Sequence, residues 1–354
     1  MTVAAWAGST NLGDELVLAA LLQKLHRRGV SPRVLSIDPP ATRAAHRVQA
    51  SSTGALLDPL APRPRAVLLG GGGLLQDETS PLNLPFHLGR AQVATVPRRP
   101  IAGIGLGAGP LSAPARRLVR LALSRAVAVS VRDVASQAVL RSLGVTSTLA
   151  ADLAVSLPTP QVLVEGRVAV ALRPWTGARS MIPVARRRRR PSVPEWFVPG
   201  MAAALDDVAS RTGLAVHFVA LQRDRDDAVH RAVAGRMRAA TTFATPDVHT
   251  AVAEVASCQA VIAMRYHAGI AALLGGRPAV LIGYSPKVSS LVDEVPHGMA
   301  GLTWGPAVAD GLADALLPLL GATDPVLEAR ERLRLREGAN DDVIDLLLEA
   351  AAAR

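Results

Sequence analysis

The stretch Val261-Ile262-Ala263-Met264-Arg265-Tyr266-His267-Ala268-Gly269-Ile270-Ala271-Ala272-Leu273-Leu274 decides the fold, because it holds one complete structural unit. Its first four residues read as a short buried strand and the run from Ala268 as a small-residue helix, so Arg265 and His267 fall at the strand-to-helix turn. In open α/β sheets that turn is where ligands bind. The next strand, Ala279-Val280-Leu281-Ile282, ends at Gly283, and Tyr284-Ser285-Pro286-Lys287 follows. Two cations and an imidazole beside adjacent strand ends suit a small anion undergoing proton transfer.

The same grammar recurs outward in both directions. Residues 2–7 form an apolar strand, residues 12–27 place Leu18, Leu21, Leu22 and Leu25 on one helical face, and residues 33–37 are the next strand. Strands at 66–69, 101–105 and 127–131 run into Gly70-Gly71-Gly72-Gly73, Gly107-Ala108-Gly109-Pro110 and Arg132-Asp133. Beyond a connection at residues 158–164 the plan repeats, with strands at 168–172 and 215–221 and helices at 195–211 and 224–238; two helical regions close the chain. Repeated strand–turn–helix units imply parallel sheets with right-handed crossovers. The expectation is an α/β chain of two Rossmann-like doubly wound domains, 1–160 and 161–354, facing each other across a cleft in the manner called GT-B.

Length agrees, since 354 residues exceed one ordinary core. The single cysteine, Cys258, excludes an internal disulfide framework and suits a reducing compartment as a buried thiol. No run of about 18 uncharged apolar residues exists, and the first fifteen residues carry Asp14 and Glu15 where a leader would be basic. A cytoplasmic protein without a spanning helix is expected. The net charge of +10 is almost entirely arginine, lysine occurring only at positions 24 and 287, which singles out Lys287. The run Arg186, Arg187, Arg188, Arg189 and Arg190 reads as a solvated loop or as a contact with anionic lipid headgroups or a phosphorylated carrier at the inner membrane face. No helix-turn-helix, zinc or aromatic-stacking pattern accompanies it, which argues against nucleic acid. No Cys/His spacing indicates a metal.

Gly8-Ser9-Thr10-Asn11-Leu12-Gly13-Asp14-Glu15 follows the first strand but lacks the G-x-G-x-x-G spacing of a dinucleotide turn. Asp14 and Glu15 complement the helix dipole and repel phosphate, so this mouth suits a neutral polyol. Asn11 and Asp14 are then hydroxyl binders, with Asp14 a candidate base. Four consecutive glycines at 70–73 call for close backbone approach, so Gly71 and Gly72 are candidate acceptor contacts. Arg132 stands at a strand end and pairs with Asp133 or binds an anion; Asp152, at another strand end, could orient it.

The ordered set GSTNLGDE, GGGGLLQD, GIGLGAGP, SVRD, ADLA, ALRPW, RYHAGI and YSPK, spanning Gly8 to Lys287, resembles the polysaccharide pyruvyl transferase family, especially its bacterial cell-wall CsaB type. The resemblance implies a GT-B-like enzyme moving pyruvate from phosphoenolpyruvate onto a sugar of a cell-wall or lipid-linked glycan as a cyclic ketal, as in secondary cell-wall polymers that anchor S-layers. It implies that Arg132, Arg265, Tyr266, His267 and Lys287 bind phosphoenolpyruvate, a co-substrate, with no further cofactor. His267, Arg132 and Lys287 are the catalytic set. Two rivals stand beside it: a nucleotide-sugar glycosyltransferase on the same fold, and a non-catalytic module binding anionic polymer through the arginine run.

Overall fold

The computed structural model describes residues 1–57, 64–78, 80–94, 99–175, 193–283 and 286–353, without the side chains at 56, 57, 93, 94, 286 and 287. The arginine run 186–190, Tyr284, Ser285 and the side chain of Lys287 therefore lie outside the described residues.

Two compact units divide the chain, one holding residues 1–156 with 333–354, the other most of the residues between. The first is built on a seven-stranded sheet in the order β3-β2-β1-β4-β5-β6-β7. Its strands are β1 (Thr2–Ala7), β2 (Arg33–Ser36), β3 (Gln49–Ser51), β4 (Val67–Leu75), β5 (Ile101–Ala108), β6 (Val129–Val131) and β7 (Thr148–Leu149), every pair parallel. Helices α1 (Leu12–Arg27), α2 (Pro39–His46), α3 (Asn83–Ala94), α4 (Ala113–Leu123) and α5 (Val134–Ser142) connect them. The order reverses between β1 and β4. This is the switch point at which ligands bind beyond the strand ends in such sheets.

The second unit carries β8 (Glu165–Ala171), β9 (Ala215–Val219), β10 (Thr241–Ala244), β11 (Cys258–Ala263), β12 (Ala279–Gly283) and β13 (Met299–Thr303). Their order is β10-β9-β8-β11-β12-β13, again all parallel. Its helices are α6 (Phe197–Thr212), α7 (Arg223–Ala234), α8 (Ala251–Ala256), α9 (Tyr266–Gly275), α10 (Pro286–Glu294) and α11 (Val308–Leu316), with α12 (Thr323–Glu337) and α13 (Ala339–Ala352) ending the chain. The switch point here lies between β8 and β11, so the Rossmann-like reading of both halves is correct. Central strands are buried on both faces, as consecutive residues Val168, Ala169 and Val170 of β8 and Val261, Ile262 and Ala263 of β11 show, which explains their continuous aliphatic runs.

Two expectations need correction. The sequence ends β4 at residue 69, whereas the strand runs on through the glycines at 70–73 to Leu75. A Cβ on Gly70 would come within 3.0 Å of Leu21 and one on Gly71 within 2.3 Å of Val17, so these glycines admit the side chains of α1 against the strand. Moreover, residues from Leu333 onward belong to the first unit, although the sequence assigns 161–354 to the second domain. Lys24 of α1 is 2% exposed and pairs with Glu337 at 2.9 Å and Asp341 at 2.7 Å, drawing α13 onto the first sheet. No helix among the described residues is long and apolar enough to cross a membrane.

Candidate functional site

In the second unit the chain leaves β11 through Met264 and Arg265, the N-cap residue of α9. Arg265 does not cap that helix with its side chain. Its Nε donates to Asp226 Oδ2 at 3.1 Å, its Nη2 also reaches Asp226 Oδ1, and Nη2 donates to Gln222 Oε1 at 3.1 Å. Asp226, fully buried in the first turn of α7, accepts the Gln222 backbone N–H as well, at 2.9 Å. A planar guanidinium gripped along one edge by a carboxylate is oriented as well as charged.

Arg173, two residues past the end of β8, lies over the Trp175 ring at 5.4 Å. Arg225 follows β9, and its proton affinity is depressed first by burial and then by the Arg173 and Arg265 charges. β9, β8 and β11 are neighbours; Arg173 and Arg265 each lie two residues past the ends of β8 and β11, and Arg225 lies in the first turn of α7, the helix that follows β9. His230, further along α7, is pushed down to about 4 by burial, so it is neutral, and its Nε2 lies 3.1 Å from the backbone of Leu172, just before Arg173. His267 occupies the first turn of α9, half-buried, edge-on to the Tyr266 ring at 5.1 Å. A helix N-terminus and clustered arginines both favour an anion.

The first unit gathers a different set. The turn after β1 is closed by Glu15, whose Oε1 accepts the Gly8 and Ser9 N–H groups at 2.8 and 3.3 Å and whose Oε2 meets His46 Nε2 at 2.7 Å. Glu15 is thus a scaffold residue, while Asp14 takes the amide of Asn11. Thr10, just before Asn11, has φ 64°, a conformation uncommon outside glycine. Gly72, with φ 87°, lies where a Cβ would be 3.7 Å from Asp14 Oδ1, and one on Gly73 would be 3.8 Å from Arg132 Nη2. The Arg132 guanidinium lies against Gly107, where a Cβ would stand 2.9 Å from Cζ. Its Nε donates to Asp133 and its Nη1 to Asp152, each at 3.3 Å.

Asn11, Asp14, Gly72 and Arg132 therefore come together at the first switch point, and Arg265, Tyr266 and His267 at the second. Gly71 is turned to Val17 and Leu153 instead. Sequence reasoning missed Gln222, Arg225 and Asp226, whose RDRDD setting reads as a solvated helix start. Among the described residues no three His, Cys, Asp or Glu side chains are grouped to hold a metal.

Residues 11–286 match the family described as polysaccharide pyruvyl transferase. No curated protein matches the sequence significantly. Among solved structures, a putative UDP-N-acetylglucosamine 2-epimerase from Listeria monocytogenes is similar over 98% of this chain and 94% of its own, at 11% identity and a TM-score of 0.64. The Neisseria meningitidis UDP-GlcNAc 2-epimerase bound to UDP-GlcNAc is similar over 98% and 99%, at 11% identity and a TM-score of 0.61. Anabaena HepE in complex with UDP and glucose covers 99% and 98%, at 15% identity and a TM-score of 0.55. At such identities the likeness establishes a shared GT-B-like α/β fold.

Proposed function

The chain belongs to the polysaccharide pyruvyl transferase family, and from that footing we propose that it transfers pyruvate from phosphoenolpyruvate to a sugar of a cell-wall glycan, as a cyclic ketal, with release of phosphate. The observation that carries the reading is the set of Arg173 and Arg265 just past β8 and β11 and Arg225 in the first turn of α7, the helix after the neighbouring β9, with one fully buried carboxylate, Asp226, paired to Arg265. Burial first, and then the charges of Arg173 and Arg265, lower the proton affinity of Arg225, and an anion placed among the three arginines would offset that charge. Phosphoenolpyruvate brings a carboxylate and a phosphate on adjacent positions of three carbons, and arginine forks match both.

The chemistry needs a proton on the methylene carbon, attack at C2 by a sugar hydroxyl, departure of phosphate by cleavage of its bond to C2, and closure by a second hydroxyl. The methylene becomes the ketal methyl. One hydroxyl proton replaces the proton consumed and the other leaves with phosphate, so no oxidant or water enters. His267, an imidazole at a helix start beside the arginines, is the donor of the first proton. Arg265, within the cluster it forms with Arg173 and Arg225, holds the anion together with Arg132 and Lys287, and Tyr266 follows Arg265 at the start of α9. Asn11, Asp14 and the Gly72 backbone receive the sugar, Asp14 taking a hydroxyl proton. The acceptor is a cell-wall or lipid-linked glycan, met on the inner side of the membrane; the arginine run 186–190 is suited to anionic headgroups there.

A second reading has an observation of its own: HepE was solved with UDP and glucose and the Neisseria epimerase with UDP-GlcNAc. On that reading the arginines take a diphosphate. Thermal unfolding with each ligand separates the two. Saturation at about 100 times Kd raises Tm by a few degrees. Such a rise with phosphoenolpyruvate and none with UDP-glucose supports the pyruvyl transferase, and the reverse overturns it.

A further inference from the structure

We propose that Asn340, on the helix that ends the chain, is a positioning residue for Arg132. Asn340 is fully buried in α13. Its Nδ2 donates to the Ala151 carbonyl and to Glu337 Oε1, both at 3.1 Å, and its Oδ1 accepts the Ser130 hydroxyl at 2.6 Å. Ser130 Oγ in turn accepts the Gly105 N–H at 2.9 Å. Ser130 lies two residues before Arg132, and Ala151 one residue before Asp152, the carboxylate that holds Arg132 Nη1. One amide thus ties together the two segments that carry the arginine and its counter-ion.

The rest of the segment is held from the same side. Arg336 Nε donates to Ala150 O at 2.9 Å and Arg334 Nε to Val155 O at 3.3 Å. Between them Asp152 Oδ1 accepts the Ala154 N–H at 3.0 Å. Leu153 packs on the glycine strands, where a Cβ on Gly71 would come within 2.8 Å of it and one on Gly105 within 3.2 Å. Movement of the 150–156 segment therefore shifts Asp152 and the backbone beside Arg132 together. Arg334, Arg336 and Asn340, which hold the segment from the last helices, lie beyond 286, where the family match ends. The device is supplied by a part of the chain outside that match.

The inference rests on the reading that Arg132 binds phosphoenolpyruvate. Its test is a cycle in the full-length protein, with phosphoenolpyruvate affinity read by calorimetry and stability by thermal unfolding. Asn340→Leu keeps the branch at Cγ and the number of heavy atoms and removes all three hydrogen bonds. It should weaken phosphoenolpyruvate binding roughly tenfold or more, the scale of a misplaced binding group, yet weaken it no further in an Arg132→Gln background. Leu347→Ala, at a fully buried position on the same helix, should lower Tm without changing that affinity. Equal losses in both backgrounds, or a loss from Leu347→Ala matching that from Asn340→Leu, overturn the positioning role. Should Asn340→Leu not yield folded protein, Ser130→Ala cuts the same bridge from its other end and carries the same outcomes. An Arg132→Gln protein that binds phosphoenolpyruvate normally overturns the donor role of Arg132 itself, and the positioning role with it.

Discussion

Arg265 keeps its charge in a buried setting because Asp226 faces it, at 6% and 0% side-chain exposure. Removing one partner of such a pair leaves an uncompensated charge and costs about 3–5 kcal/mol. Asp226→Asn should therefore lower Tm and weaken phosphoenolpyruvate binding together, whereas Arg225→Gln, which removes a crowded cation, should weaken binding with little loss of stability. Equal Tm losses in the two variants would contradict this division of roles. His267→Gln should cut phosphate release by about 10²–10⁴-fold, the usual worth of a positioned acid, while phosphoenolpyruvate still binds within a few-fold. Release at the normal rate would place the acid elsewhere. At this scale the sequence is informative about position: Arg132 and Arg265 are legible as residues just past strand ends, and His267 as the start of the next helix, because apolar runs stop there. Asp226 and Gln222 are not, because they stand about forty residues before Arg265 in a stretch whose alternating charges look like solvent-facing helix.

Among the elements, β4 shows how packing overrides a local signal. Four glycines cost conformational entropy and call for a close approach, and the strand continues through Gly70 and Gly71 because Leu21 and Val17 of α1 fill the space a Cβ would take. Gly71→Ala should lower stability by roughly 1–3 kcal/mol through overpacking, measured by denaturant unfolding; an unchanged midpoint would mean that α1 yields freely. The edge strands β3, β7 and β10 escape notice because they are short and only partly buried. The helices also set a pH dependence. Burial holds His87 of α3 near 3 and His230 of α7 near 4, both from 6.5. Below pH 6.5 the unfolded chain binds protons that the fold refuses, so stability is lost as pH falls toward 4. Glu337 of α12 runs the other way, raised by burial from 4.5 to about 7. There the fold holds a proton that the unfolded chain releases, and that contribution is lost as pH rises from 4.5 to about 7. Glu337→Gln should thus gain stability relative to the parent between pH 5 and pH 8; a difference independent of pH would contradict the raised carboxyl.

For the whole molecule, the two doubly wound sheets are legible because each strand–turn–helix unit repeats the same aliphatic pattern, and central parallel strands must be apolar on both faces. The return of the last helices to the first unit is not legible. It depends on a buried Lys24–Glu337 pair and on Asn340, single polar residues whose partners lie far away in sequence. A GT-B-like fold serves several chemistries, so the function is argued from the sites it carries. Pyruvyl transfer from phosphoenolpyruvate is tested most directly by incubating the protein with carbon-13-labelled phosphoenolpyruvate and a panel of glycosides and following the label by NMR. The account predicts a labelled ketal methyl on one glycoside with release of one phosphate for each pyruvate transferred, and loss of both in Arg265→Gln. Label remaining in phosphoenolpyruvate while the same protein consumes a UDP-sugar and releases UDP would contradict it.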